Sequence, residues 1–161
     1  RLKVKSDPVA AVDPEIATLM DDMLETMYLA PGVGLAAPQI GVTKRIIVVD
    51  VGKTEEERDP YCMANPELVW TSEGVAVYEE GCLSLPEHYA DIERPECIRV
   101  KYIDETNNER ELEAQGLLAT CIQHEIDHLE GVLFVDHLTS LKRNIIIRKL
   151  QKTKRIKAAA E

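Results

Sequence analysis

The sequence predicts an α+β fold. Three observations carry this prediction. An amphipathic helix pattern lies near the start of the chain, strand-forming segments cluster in its middle, and helical patterns resume only after residue 116. Strands and helices are therefore segregated along the chain instead of alternating. The 161 residues are 45% hydrophobic, enough for the core of one domain, and residues 1–161 are expected to form it.

Asp13 and Pro14 set the start of the first helix, Asp as N-cap and Pro at the first helical position. Ile16, Leu19, Met20, Met23, Leu24 and Met27 then recur at intervals of three and four, with Asp21, Asp22 and Glu25 on the other face. Ala30-Pro31-Gly32 ends the pattern. Aromatics are only 4%, so the methionines are expected to fill the core. Residues 31–41 read as a loop of small residues. Residues 45–51 (R-I-I-V-V-D-V) read as a buried strand rich in β-branched side chains. Further strands are expected around Val69, over 75–78 and over 97–103. A turn at Asn107-Asn108 would join 98–103 to 110–113 as a hairpin. A second helix is expected over 117–129, just after Gly116, and a third from Ser140 to about Lys157.

The net charge of −10 is unevenly spread. Residues 141–161 hold Lys142, Arg143, Arg148, Lys149, Lys152, Lys154, Arg155 and Lys157 against Glu161, a local +7 that leaves −17 on residues 1–140. An acidic body excludes a broad nucleic-acid surface, and a basic end allows a local one without sequence-specific recognition. No apolar run approaches the roughly 18 residues of a membrane span, and no signal-peptide pattern opens the chain. No membrane partner is expected. Cys62, Cys82, Cys97 and Cys121 form no C-x-x-C pair and read as reduced, mostly buried thiols of a cytoplasmic protein.

The chemistry-bearing motif is His124-Glu125-Ile126-Asp127-His128, in the second helix. Histidines four apart share one helix face and can present ring nitrogens to one metal ion, while Glu125 can reach a metal-bound water as general base. A catalytic site of this type needs a third protein ligand. The pattern H-E-x-x-H-x-x-G-x-x-H continues through Gly131 and breaks at Phe134. The only Glu after Glu130 is Glu161, and His137 lies off the pattern. Cys121 is on the same helix, but three ligands strung along about 10.5 Å of one helix cannot surround a tetrahedral ion. The third ligand is therefore expected upstream, where Glu79-Glu80-Gly81-Cys82-Leu83-Ser84 places a cysteine beside a glycine. The segment Gly32-Val33-Gly34-Leu35-Ala36-Ala37-Pro38-Gln39 supplies small residues that allow close approach and an amide donor; it lacks the Lys-Ser/Thr of a phosphate loop.

G-V-G-L-A-A-P-Q (32–39), E-G-C-L-S (80–84) and Q-H-E-I-D-H (123–128) together resemble, in order, the three signature blocks of the peptide deformylases. The likeness runs from about Leu2 to Leu150, and the basic end resembles the class with a C-terminal helix, bacterial or organellar. The N-terminal strand of the family is expected to be absent from this chain. The resemblance implies antiparallel sheets packed around a central metal-binding helix, with an N-terminal and a C-terminal helix beside it. It implies a metal-dependent hydrolase that removes the formyl group from the N-formyl-methionine of nascent polypeptides. Cys82, His124 and His128 would hold one divalent ion and Glu125 would be the base. The Gln39 amide and the Leu83 N–H would hold the oxyanion. Val33, Gly34, Tyr78, Glu80, Gly81, Leu117 and Cys121 would bind the methionine end of the substrate. Ligand type alone suits zinc and leaves iron, cobalt and nickel open; the family precedent is ferrous iron. The setting implied is the bacterial cytoplasm or an organelle, with the basic C-terminal helix as a ribosome-docking element.

Overall fold

The computed structural model describes residues 5–82 and 85–132, which form two helices and two antiparallel sheets. Helix α1 is Pro14–Leu29, capped by the Asp13 carboxylate on the Ile16 N–H at 2.9 Å. Helix α2 is Gly116–Leu129. The larger sheet has the order β1 (Gly34–Ala36), β2 (Ile46–Val49), β3 (Tyr61–Thr71), β6 (Cys97–Ile103) and β7 (Glu109–Gln115). The smaller pairs β4 (Val75–Cys82) with β5 (Leu85–Pro95).

Strand β2 explains why its sequence is apolar without alternation: both of its faces are covered. Ile47 and Val49 join Met63, Ile122, Ile126 and Leu129 in the core beneath α2. Ile46 and Val48 join Ile16, Met20, Met23 and Met27 in the core beneath α1. The three methionines are fully buried and act as core, as their spacing suggested. The sheet is thus sandwiched, and α2 is wedged against strands of both sheets.

Three segments differ from the sequence-based expectation. Residues 31–41 are not only loop: Gly34–Ala36 pairs with Val49, Val48 and Ile47, and a short 3-10 turn, Ala37–Ile40, follows and ends at Gly41 with φ 84°. Strand β3 is far longer than the expected strand near Val69. It runs through Asn65-Pro66 because the ladder shifts register between Ala64 and Glu67, and such an irregularity tolerates a proline. Strand β5 went unexpected because it is polar and flanked by prolines; its partner is β4 alone among the described strands. The hairpin around Asn107 is as expected, with Asn107 at φ 62°. No described helix is long and apolar enough to cross a membrane. The helix expected over 140–157, with Phe134 and His137, lies outside the described residues.

Candidate active site

A cavity of about 520 Å³ opens between the end of α1, strand β1, strand β4 and the middle of α2. Val33, Gly34, Gln39, Tyr78, Glu80, Gly81, Leu117, Cys121, His124 and Glu125 all line it. His128 lies behind them, almost wholly buried, its ring 5.0 Å from that of His124 in an edge-on contact. The backbone of Cys82 ends β4 next to Gly81. The Cys82 side chain and all of Leu83 lie outside the described residues.

The helix turn between positions 124 and 128 brings the histidines together, and Glu125 joins them. One ligand atom from each of His124, Glu125 and His128 lies within 4.8 Å of the others, and all three residues are buried. Around His124 the tautomer is determined by Glu80, whose Oε1 sits 2.8 Å from Nδ1. An ionised carboxylate only accepts, so Nδ1 keeps a proton facing Glu80, and Nε2 is the nitrogen left to face a metal once the ring is neutral. Burial alone would raise the Glu80 carboxyl, but hydrogen bonds from His124 and Arg94 outweigh it and hold the group below the usual carboxylate range. Burial, with the charges of His124 and Arg94 adding, pushes the His128 ring down to about 3, so it stays a neutral donor. Burial pushes the Glu125 carboxyl up to about 7, against the pull of His124 and with the help of Glu80. Its Oε1 is buried and makes no hydrogen bond among the described residues. Two imidazoles and a carboxylate converging in a buried site are a donor set suited to a divalent cation. Cys121 contributes differently: burial first, then the nearby carboxylates, push its thiol up to about 12, so it stays protonated at the cavity wall.

Behind this group stands a network that sequence reasoning missed. Arg94 on β5 donates through Nε and Nη2 to Glu80 at 2.7 and 2.9 Å and through Nη1 to Asp127 at 2.8 Å. Glu80 and Arg94 are both buried. The signal was present in β5, where Ile92 and Arg94 face inward while Asp91 and Glu93 face solvent, but it is readable only once the segment is known to be a strand. Gln123 adds a tie from α2 to β5, its Nε2 donating to the Pro95 carbonyl at 3.0 Å. The opposite rim is braced by Asp50, which accepts from the Tyr28 hydroxyl at 2.5 Å and donates its own N–H to the Val33 carbonyl at 2.8 Å. Arg58 stacks on the Tyr28 ring at 4.0 Å.

Removing the Arg94 guanidinium would take two hydrogen bonds from the buried Glu80 carboxylate and leave it only His124 of these two partners. Arg94→Met is therefore expected to weaken metal retention by about 10–100-fold, the usual cost of disturbing a group that orients a metal-ligating histidine. Titration of metal-stripped protein with zinc checks this; unchanged affinity would show that Glu80 holds His124 unaided.

Gln39 accepts the Ala36 N–H through Oε1 at 2.8 Å, which fixes which end of its amide carries the donors. Among the described strands β1 is the edge of its sheet, paired on one side with β2. The cavity thus combines a backbone edge, an apolar wall and, at and behind its lining, a buried His-Glu-His cluster able to hold a cation.

The chain is 57% identical over 161 residues to the peptide deformylase of Methylocella silvestris, covering 98% of this chain and 82% of that one. The crystal structure of peptide deformylase from Ehrlichia chaffeensis superposes with a TM-score of 0.92 at 43% identity, over 98% of this chain and 93% of that one. The complex of that enzyme with actinonin superposes at 0.89 with 44% identity, over 96% and 92% of the two chains. The family model for polypeptide deformylase matches residues 1–144, and the chain belongs to that family of metal-dependent hydrolases.

Proposed function

We propose that the chain's deformylase activity runs through Glu125 as general base, with Cys82, His124 and His128 as the ligands of one divalent ion, ferrous iron in the cell. The substrate is the N-formyl-methionine end of a nascent polypeptide, and formate is released. The observation that carries this reading is the cluster of His124 and Glu125, which line the cavity, with His128 behind them.

When bound, the ion polarises the formyl carbonyl and lowers the pKa of water. Glu125 takes the proton of the attacking water and returns it to the leaving amine, a role favoured by a carboxyl raised toward neutrality. The Gln39 side chain donates to the developing oxyanion together with the Leu83 N–H. Val33 and Gly34 pair with the substrate backbone as an added strand, which gives affinity with little dependence on the residues that follow. Tyr78, Leu117 and Cys121, with Gly81, form the wall against which an unbranched thioether packs. Glu80 acts from behind, through His124. The test is formate release from a formyl-Met peptide by protein purified without oxygen, with its metal content measured. Full activity in protein whose bound metal is zinc alone would overturn the assignment of iron.

The basic end is the proposed contact with the ribosome, and the bacterial cytoplasm the proposed setting. Residues 1–140 carry −17 and should be repelled by RNA, whereas 141–161 carry +7, and phosphate contacts make such binding salt-sensitive. Truncation after Leu150 is expected to leave turnover of a short formyl-Met peptide unchanged and to abolish cosedimentation with ribosomes at low salt. Ribosome binding that survives truncation would refute the docking role.

A further inference from the structure

Gly34 has no conformational reason to be glycine. Gly41, Gly116 and Gly131 lie in the left-handed region of backbone space; Gly34 does not. It sits in β1 opposite Val49, in a strand that any L residue could continue. What excludes a side chain there is Glu125. A Cβ built on Gly34 would overlap the Glu125 Oε2 and stand 3.0 Å from both Cδ and Cγ. Neither backbone is free to retreat. Leu35 and Ala36 are buried next to Gly34 in the strand, and Ile122, Ile126 and Leu129 lock α2 into the core beneath the sheet. The softest element is the Glu125 side chain, which would rotate away.

We infer that Gly34 is a positioning residue for the base: its missing side chain reserves the space in which the Glu125 carboxylate is held beside His124 and His128. This is separate from the pairing of the Gly34 backbone with substrate, and it rests on the reading of Glu125 as base. The two roles separate kinetically. Displacing the base acts on the chemical step, whereas spoiling the strand pairing acts on substrate binding.

The experiment compares the metal-loaded protein with Gly34→Ala, Glu125→Asp and the double variant on a short formyl-Met peptide. Gly34→Ala is expected to keep its metal, to lower kcat by about 10–100-fold, as misplacement of a catalytic group by about 1 Å does, and to leave KM nearly unchanged. Aspartate is one methylene shorter and withdraws from the contact. In the Glu125→Asp background the added methyl should therefore cost little further turnover, a non-additivity that distant, independent sites do not show. A loss confined to KM, or the same loss of kcat in both backgrounds, would overturn the inference while leaving Glu125 as base. Wild-type turnover by Glu125→Asp and Glu125→Gln would remove the base assignment itself, and this inference with it. Should Gly34→Ala fold poorly, its melting temperature is compared in the presence and absence of Glu125→Ala. The methyl should be better tolerated where the carboxylate is gone, and an equal loss in both backgrounds would overturn the inference.

Discussion

Glu125→Gln is expected to bind about one metal ion per chain and to lose turnover by about 10²–10⁴-fold, the contribution of a positioned general base. The amide matches the carboxylate in volume, so the close contact with Gly34 and the packing of α2 are kept. The two histidines remain, His124 with its proton on Nδ1 facing Glu80. What changes is the ability to take up a proton at a buried group whose Oε1 makes no hydrogen bond among the described residues. Loss of a base without loss of ligands should appear as a fall in kcat and in kcat/KM together. Metal analysis and formate release on the same preparation check it. A fall of less than about tenfold with full metal would move the proton-transfer role to another group.

Local chemistry explains which parts of this molecule could be read from its residues. Helix α1 was legible because a cap, a proline and a 3.6-residue stripe all act within one segment; Ile16, Met20, Met23 and Met27 are buried as the period requires, and Leu19 and Leu24 flank them half-buried. The pair His124 and His128 was legible because one helical turn brings them together without help from the fold. The remaining features depend on partners distant in sequence. Strand β1 exists because β2 supplies its ladder, so its Gly/Ala sequence reads as loop. Strand β3 extends well upstream of the strand expected around Val69, because the shifted register with β6 lets it run through Asn65-Pro66. Arg94 meets Glu80 and Asp127 from 14 and 33 residues away, and no periodicity links them. The three signature blocks, by contrast, foretold which segments meet at the cavity: Val33, Gly34 and Gln39 from the first, Glu80 and Gly81 from the second, His124 and Glu125 from the third.

Cys82→Ser is expected to lose most of its bound metal and, with it, turnover, whereas Cys121→Ser keeps the metal and mainly raises KM. The argument turns on where a third ligand can stand. His124 and His128 approach the site from α2, with Glu125 between them as the proposed base. A tetrahedral ion then needs a donor from another element. Cys121 is one turn earlier on the same helix, and three ligands strung along one helix cannot surround a tetrahedral ion. Cys82 follows Gly81 at the end of β4, and Gly81 lines the cavity opposite α2. On the proposed ligand set, a thiolate there would supply the soft donor that a hydroxyl cannot replace. At position 121 the same substitution puts a more polar atom into the cavity wall that Leu117 and Tyr78 also line, which on the proposed reading would weaken packing of the substrate's methionine without touching the ion. Metal content after gel filtration separates the two variants, and kcat and KM on a formyl-Met peptide locate the remaining effect. Metal kept by Cys82→Ser and lost by Cys121→Ser would transfer the third ligand to the helix and undo the proposed division between metal site and methionine wall.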